Sequence, residues 1–342
     1  MGSRYLVTGG AGFIGSHLVE ALIERGDSVV VLDNLSTGQI QNLAPVADHP
    51  ALTVVHGSVL DELQVDELVH EVDGVIHLAA AVGVKLIVEQ PLRSFITNIR
   101  GSEIVLQAAF RHRRRILLAS TSEIYGKNGS EPLSEGADRI LGSPGIARWA
   151  YSTAKAVDEI LAFAYHRERG LPTTIVRLFN TVGPRQSPAY GMVIPRLVRQ
   201  AVAGEPLTVH GDGTQTRCFC HVDDVVAGLV GLLDEPGAIG EVFNIGSQEE
   251  ISILDLANRI VAEADSTSSV KLISYADAYD VGFEDMQRRV PNTTKIHQLT
   301  GWAPRYTLHD ILVQTIAEAE VELRGAERGG ELRGAEPRGN HS

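Results

Sequence analysis

Thr8-Gly9-Gly10-Ala11-Gly12-Phe13-Ile14-Gly15 follows the apolar run Tyr5 to Thr8 and opens Phe13 to Arg25, where apolar residues recur at three- and four-residue spacing. A strand, a tight turn and a helix are the expected outcome. Glycine lets a backbone turn sharply and approach a pyrophosphate, whose charge a positive helix N-terminus favours, and the last glycine lets helix and strand pack closely. Gly9, Gly12, Phe13, Ile14 and Gly15 are therefore candidate dinucleotide contacts. A glycine run alone marks only a turn. Here Asp33 closes the next apolar run, Ser28 to Asp33, where a carboxylate can accept hydrogen bonds from an adenosine ribose. Its charge repels a 2′-phosphate and Asn34-Leu35-Ser36 brings no arginine, so NAD is expected rather than NADP.

Moving outward, β-branched apolar runs continue at Leu52 to His56, Gly74 to Ala79, Ile116 to Ser120 and Thr173 to Leu178. Between them Val65 to Val72, Leu92 to His112 and Tyr151 to Arg169 carry helical periodicity. This alternation predicts an α/β fold with a doubly wound parallel sheet covered on both faces, and a ligand site beyond the carboxyl ends of its strands. Residues 1–178 form the expected dinucleotide-binding domain. After Leu178 shorter elements follow, with a helix expected over Val193 to Ala203. A helix over His221 to Leu233 and a strand over Val242 to Gly246 suggest that 221–246 returns to the sheet. The smaller, interleaved C-terminal substrate domain then comprises 179–220 and 247–318. From 319 to 342 the repeated Glu-Leu-Arg-Gly-Ala-Glu units, at Glu322 to Glu327 and Glu331 to Glu336, predict a disordered tail.

The 342 residues carry 30 basic and 43 acidic side chains, a net charge of −13, which argues against nucleic acid or an anionic membrane as partner. With no signal peptide or long apolar span in view, a cytoplasmic protein is expected. Cys218 and Cys220, either side of Phe219, have no second ligand pair, so they are read as core and no metal is expected. The run Arg111-His112-Arg113-Arg114-Arg115 is read as a helix C-terminal cap, where cations suit the helix dipole.

Tyr151-Ser152-Thr153-Ala154-Lys155 places a phenol and an ammonium on one helix face. An ammonium and an oxidised nicotinamide both favour the phenolate, which makes Tyr151 a base for an alcohol and Lys155 its helper. Ser120-Thr121-Ser122-Glu123-Ile124-Tyr125-Gly126 ends a core strand at the ligand edge and offers hydroxyls to the reacting oxygen.

The glycine fingerprint, this Ser/Thr cluster and the Tyr-Lys pair together resemble the extended short-chain dehydrogenase/reductase family, among its nucleotide-sugar epimerases, decarboxylases and dehydratases, over residues 4 to about 318. The resemblance implies a Rossmann-type fold and reversible oxidation of a sugar hydroxyl, with Tyr151, Lys155 and Thr121 catalytic. It assigns Asn34, Ser36, Thr37 and Gly38 after Asp33, then Val59, then Leu78, Ala79 and Ala80 after His77, and Asn98, to the NAD pocket, along with Tyr151 and Lys155. Ser58 stands where relatives usually carry Asp facing the adenine amine. In Arg177-Leu178-Phe179-Asn180-Thr181-Val182-Gly183-Pro184-Arg185, Asn180 is implied at the sugar-nucleotide diphosphate, and so are Arg217 of Gly213 to Arg217 and Arg289 of Gln287 to Pro291. The substrate set is thus Thr121, Ser122, Glu123, Asn180, Arg185, Val193, Arg217 and Arg289, the partner a UDP-sugar. A homodimer through the long helices, Leu92 to His112 and Tyr151 to Arg169, is also implied.

Relatives that dehydrate carry Thr-Asp-Glu where this chain has Thr121-Ser122-Glu123, and serine is no substitute for a carboxylic acid as proton donor. Epimerisation and decarboxylation share the first step, oxidation at C4, after which a C5 carboxylate is β to a ketone. An epimerase must hold that carboxylate near the ring plane, with Thr121, Ser122 and Arg185 as candidates. Thr-Ser-Glu and Gly211 to Arg217 match decarboxylases. The surroundings of Tyr151, Asn292 after Arg289-Val290-Pro291, and the loop Arg185 to Pro195 look more like 4-epimerases. The expected reaction is accordingly UDP-glucuronate to UDP-galacturonate, with UDP-glucuronate decarboxylation to UDP-xylose or UDP-glucose 4-epimerisation as alternatives. A non-catalytic NAD sensor would be expected to lack Tyr151 or Lys155, and both are present.

Overall fold

The computed structural model describes residues 2–82, 91–129, 132–146, 149–187, 192–274 and 286–334, the side chains of 326–334 excepted. Its frame is a seven-stranded sheet built from β1 (Arg4–Thr8), β2 (Ser28–Asp33), β3 (Leu52–His56), β4 (Gly74–His77), β5 (Arg115–Thr121), β6 (Thr173–Leu178) and β11 (Glu241–Ile245). The order is β11-β6-β5-β4-β1-β2-β3, and every neighbouring pair is parallel. Because β1 has β2 on one side and β4 on the other, the strand order reverses there and a crevice opens above their carboxyl ends.

Helices α1 (Phe13–Glu24) and α6 (Val222–Leu233) cover one face, burying Leu18, Leu22, Val225 and Leu229. The other face carries α2 (Glu62–His70), α3 (Pro91–Arg111) and α4 (Ala150–Arg169), which bury Val65, Val69, Val105 and Ala162. Each fully buried Leu contributes about 1.5–3 kcal/mol relative to exposure, so this double layer is the main adhesive of the larger body. Covering on both faces does not extend to β3, an edge strand whose Val54 is exposed.

Residues 221–246 join the large sheet through β11 and α6. The smaller body packs α5 (Val193–Val202), α7 (Ile253–Glu263) and α9 (Leu308–Gly334) around Leu197, Val209, Leu256, Ile260 and Ile311. Short strand pairs brace it: β7 (Thr181–Val182) with β10 (Cys220–His221), β8 (Leu207–His210) with β13 (Val270–Ile273), and β9 (Thr216–Cys218) with β12 (Glu250–Ser252). Helix α8 (Thr294–Thr300) lies against β11.

The expected disordered tail needs correction as far as Gly334. Residues 319–334 continue α9, with Ala319 against the core and Arg324 paired with Glu320 one turn away at 2.6 Å. Ala, Glu, Leu and Arg are strong helix formers, so a docked first half propagates the helix despite its glycines. The remaining residues, 335–342, lie outside the described set.

Cys218 and Cys220 are buried free thiols on successive short strands. Burial, with Glu250 adding, pushes the Cys218 thiol up to about 12, and burial also raises that of Cys220. The basic run at the end of α3 is tied down: Arg111 and His112 bond Asp66, Arg114 the His70 carbonyl, and Arg115 the carbonyls of Leu232 and Glu235. Among the described residues no helix is long and apolar enough to cross a membrane, and no group of His, Cys, Asp and Glu could hold a metal ion.

Candidate active site

A cavity of about 940 Å³ opens above the switch point, roughly the size of a cofactor and substrate site, and runs from the glycine turn to the smaller body. At one end the turn brings chain segments too close for side chains. Gly9 has φ +74°, and a Cβ there would lie 2.9 Å from the amide nitrogen of Ala79. At Gly15 a Cβ would lie 2.2 Å from the Gly9 carbonyl oxygen. Gly12 precedes α1 and contributes no side-chain cap, so the first N–H groups of that helix, at Phe13, Ile14 and Gly15, are left for a ligand. Asp33 accepts from the amides of Ala11 (3.0 Å) and Leu35 (2.8 Å), which fixes its carboxylate at the wall beside Asn34, Ser36 and Thr37. Val59, Leu78, Ala79 and Ala80 complete this end. Open backbone donors, an anchored acid and apolar walls fit a dinucleotide.

Three expected members of this pocket stand elsewhere. Asn98 does not line the cavity; its side chain accepts from Ala81 N–H (2.7 Å) and donates to Ala81 C=O (3.2 Å), buttressing the loop after β4. Ser58 lines a small neighbouring recess with Leu60, Leu92 and Arg93, and its hydroxyl accepts from Leu60 N–H. Gly38 passes behind the wall, where a Cβ would meet the Ala11 backbone at 2.9 Å and the Asp33 carboxylate at 3.1 Å.

At the other end β5 delivers Thr121, whose hydroxyl caps the 3-10 turn Ser122–Tyr125 by accepting from Glu123 N–H (3.2 Å). The first turns of α4 bring Tyr151 and Lys155 to the same wall. Burial pushes the Tyr151 phenol up from its usual range, and the carboxylates of Glu123 and Asp158 add to the shift. Lys155 donates to Asp158 at 3.1 Å, both nearly inaccessible. Behind them Glu159 accepts from Ser120 (2.6 Å) and takes a bidentate hydrogen bond from Arg177, which also reaches the Tyr125 hydroxyl (3.0 Å). This buried brace locks the end of β5 against α4. On the other side of the lysine, His77 bonds Thr8 (2.7 Å) and Ser102 (3.1 Å). Burial, with the Lys155 ammonium adding, pushes its pKa down to about 3, so it is a neutral imidazole.

The smaller body contributes arginines to the cavity wall, and each is held by protein groups. Arg289 is buried, forms an ion pair with Glu123 at 3.6 Å and donates to the amide oxygen of Asn180. The amide nitrogen of Asn180 in turn donates to the Cys218 carbonyl (2.9 Å). Arg289 therefore sits beside the Thr121–Tyr151 wall, with Asn180 as its support. Arg217 donates to the Thr216 carbonyl and lines the cavity with Val193, Gln215 and His210. Arg185 has a guanidinium turned toward the cofactor body: it donates to Glu20 (2.5 Å), Ser16 (3.3 Å) and the Asn42 carbonyl (3.1 Å), while its backbone N–H donates to Glu318 of α9 (2.9 Å). Residues 188–191 of the expected Arg185 to Pro195 loop lie outside the described set. The sequence reading missed Glu159, Asp158 and the His77 network. Asp158 was accessible to it, being three residues beyond Lys155 and thus on the same helix face.

A Rossmann-type sheet with a Tyr-Lys pair and a glycine turn on one cavity is the arrangement of an extended short-chain dehydrogenase/reductase. Residues 6–315 match the family model described as GDP-mannose 4,6 dehydratase, and the chain belongs to that family. It is 40% identical over 317 residues to a UDP-N-acetyl-alpha-D-glucosaminuronate decarboxylase of Bacillus cytotoxicus, covering 92% of this chain and 97% of the relative. It is 36% identical to UDP-glucuronic acid decarboxylase 5 of Arabidopsis thaliana, covering 94% and 90%. Among solved structures, dTDP-glucose 4,6-dehydratase of Streptomyces venezuelae with NAD bound superposes with a TM-score of 0.85 at 32% identity, over 94% of this chain and 98% of that one. UDP-glucose 4-epimerase of Thermotoga maritima with UDP-glucose gives 0.81 at 31%, over 94% and 99%. The expectation of NAD agrees with these neighbours.

Proposed function

We propose that the protein is an NAD-dependent decarboxylase of UDP-hexuronates. The observation that carries this reading is the Glu123–Arg289 ion pair at the wall formed by Thr121, Ser122 and Tyr151. NAD, when bound, accepts the hydride from the sugar C4; the glycine turn and Asp33 are the residues to hold it. Tyr151 takes the O4 proton, and Thr121 donates a hydrogen bond to the same oxygen. The C5 carboxylate of the resulting ketone is then β to a carbonyl. Arg289 receives that carboxylate and fixes its plane, while Glu123 beside it disfavours the anion relative to neutral carbon dioxide. The C5–carboxylate bond breaks, its electron pair passes to the enolate at O4, a proton replaces carbon dioxide at C5, and the ketone is reduced back to an alcohol by return of the hydride taken from C4, with Tyr151 giving its proton back to O4.

Of the groups the 4-epimerase reading offered to hold the carboxylate in the ring plane, Thr121, Ser122 and Arg185, the Arg185 guanidinium is engaged by Glu20 and Ser16. Decarboxylases among the similar sequences support the same choice. Asn292, in place of the decarboxylases' aspartate, still favours epimerisation. The exposed apolar residues of α3 and α4, Leu92, Ile96, Phe110 and Ile160, support a second copy of the chain as the partner along these helices. The test is incubation with UDP-glucuronate and, separately, its 2-acetamido counterpart, followed by NMR. A UDP-pentose with released carbon dioxide is expected. A UDP-hexuronate inverted at C4 with its carboxyl carbon intact would replace this reading with the epimerase.

A further inference from the structure

Lys155 lies in a buried charge pair that the general description of a Tyr-Lys base does not include. Its ammonium donates to Asp158 Oδ2 at 3.1 Å, with side-chain exposures of 3% and 0%. The second carboxylate oxygen, Oδ1, is buried and makes no hydrogen bond of ordinary geometry, with the Ser102 hydroxyl near enough to favour the charge. An unneeded acid at such a place is costly, because a sealed carboxylate forfeits its hydration and here recovers only part of it. We infer that Asp158 is a positioning residue that anchors Lys155 and, through its charge, sets the pH at which Tyr151 serves as base.

Among the described residues, the charged and titratable groups around this acid come from four elements. From its own helix come Lys155, Tyr151 and Glu159, the last neutralised by Arg177 from β6. Helix α3 presents Ser102, whose hydroxyl favours the carboxylate, and β4 presents His77, neutral in its desolvated site. From the turn after β5, Glu123 acts on Tyr151 and is itself paired with Arg289. Burial raises the Asp158 carboxyl, and the Lys155 ammonium and the Ser102 hydroxyl oppose that shift. Two consequences follow from Coulomb's law at short range. The ammonium is held at a fixed point one helical turn from the phenol, and its field at the phenol is partly cancelled by the carboxylate. Lys155 alone would make Tyr151 a phenolate at lower pH. Asp158 restrains it, so that the group can return its proton later in a cycle that both removes and restores one.

The inference rests on the Tyr151 role in the proposed function but not on the fate of C5. The first measurement therefore uses no substrate: the tyrosinate absorbance of the NAD-loaded enzyme, titrated against pH, with the Tyr151→Phe protein subtracted. Asp158→Asn keeps the shape and an acceptor for Lys155 while removing the charge. Its tyrosinate midpoint is expected about half a pH unit or more below that of the parent. Coincident midpoints, in a protein of unchanged circular dichroism and NAD content, would overturn the inference. If the asparagine variant does not fold, Asp158→Ser provides the same comparison with a smaller acceptor. The second measurement is the pH profile of NADH formation in a single turnover with UDP-glucuronate and with UDP-glucose, which share the O4 hydroxyl. The acid limb is expected to move to lower pH in Asp158→Asn with KM unchanged, and an unmoved limb counts against the inference. A parent enzyme silent with both sugars but showing the midpoint shift would overturn the proposed function and leave Asp158 with its role.

Discussion

The dinucleotide end of the cavity is made of backbone brought together by short chain separations; the sugar end is made of charged side chains brought together by long ones. Gly9 and Gly15 meet within one turn of chain, and Asp33 joins them through the Ala11 amide. Arg289 reaches its support, Asn180, across 109 residues. The difference has a chemical cause. A pyrophosphate is bound by donors that every residue possesses, so only room is needed and glycine supplies it. A reacting carboxylate needs a charge of fixed direction, and a guanidinium has direction only when other side chains hold it.

Substitutions at the two ends should therefore fail differently, and Tyr151, where the ends meet, sets the scale. Tyr151→Phe is expected to lower kcat by about a thousandfold while NAD stays bound, measured as turnover and as cofactor released on denaturation. Retained turnover would place the base elsewhere. Next comes Arg289→Lys, expected to lower kcat/KM on the order of a hundredfold with NAD content unchanged, since a compact ammonium cannot reproduce the planar fork that directs one nitrogen to Glu123 and the other to Asn180. Loss of NAD in that variant would erase the separation of the two ends. Gly15→Ala should do the opposite. Its methyl group meets the Gly9 carbonyl, so the turn must open, with loss of NAD and about 2 kcal/mol of stability, seen as a lower Tm.

The same contrast explains what could be read in the chain before folding. Ser28–Asp33, Leu52–His56 and Thr173–Leu178 match their expected limits, because β-branched runs between turn residues are local signals. Helix α2 starts three residues before Val65, its expected first residue, because Asp61 caps it, accepting from Gln64 N–H; polar capping precedes the periodicity. The cofactor end was legible through Gly9, Gly12, Gly15 and Asp33, all within one βαβ unit. At the sugar end the residue types were legible and their partners were not. Arg185 and Arg289 look alike in sequence, each in a Pro-containing loop, yet one pairs with Glu20 of α1 and the other with Glu123 after β5. Nothing local distinguishes them. The buried amide of Asn98 bonds both backbone polar groups of Ala81, and nothing in the sequence separates such loop support from ligand binding.

Arg185 gives the smallest expected effect and the sharpest test of that distinction. It is a non-glycine residue at φ +68°, an unfavourable backbone state that its contacts must offset. Its guanidinium pairs with Glu20 at partial exposure, where an ion pair is worth roughly 1 kcal/mol or less, and its backbone holds Glu318 whatever side chain is present. Arg185→Ala should accordingly lower Tm by the equivalent of about 1 kcal/mol and leave kcat/KM within about threefold. Arg185→Gly removes the same ion pair but relaxes the backbone strain, so it should be the more stable of the two. A residue that gripped a substrate carboxylate would behave otherwise: both variants would lose tens of fold in kcat/KM with little change in Tm, and the guanidinium would belong to the sugar end after all.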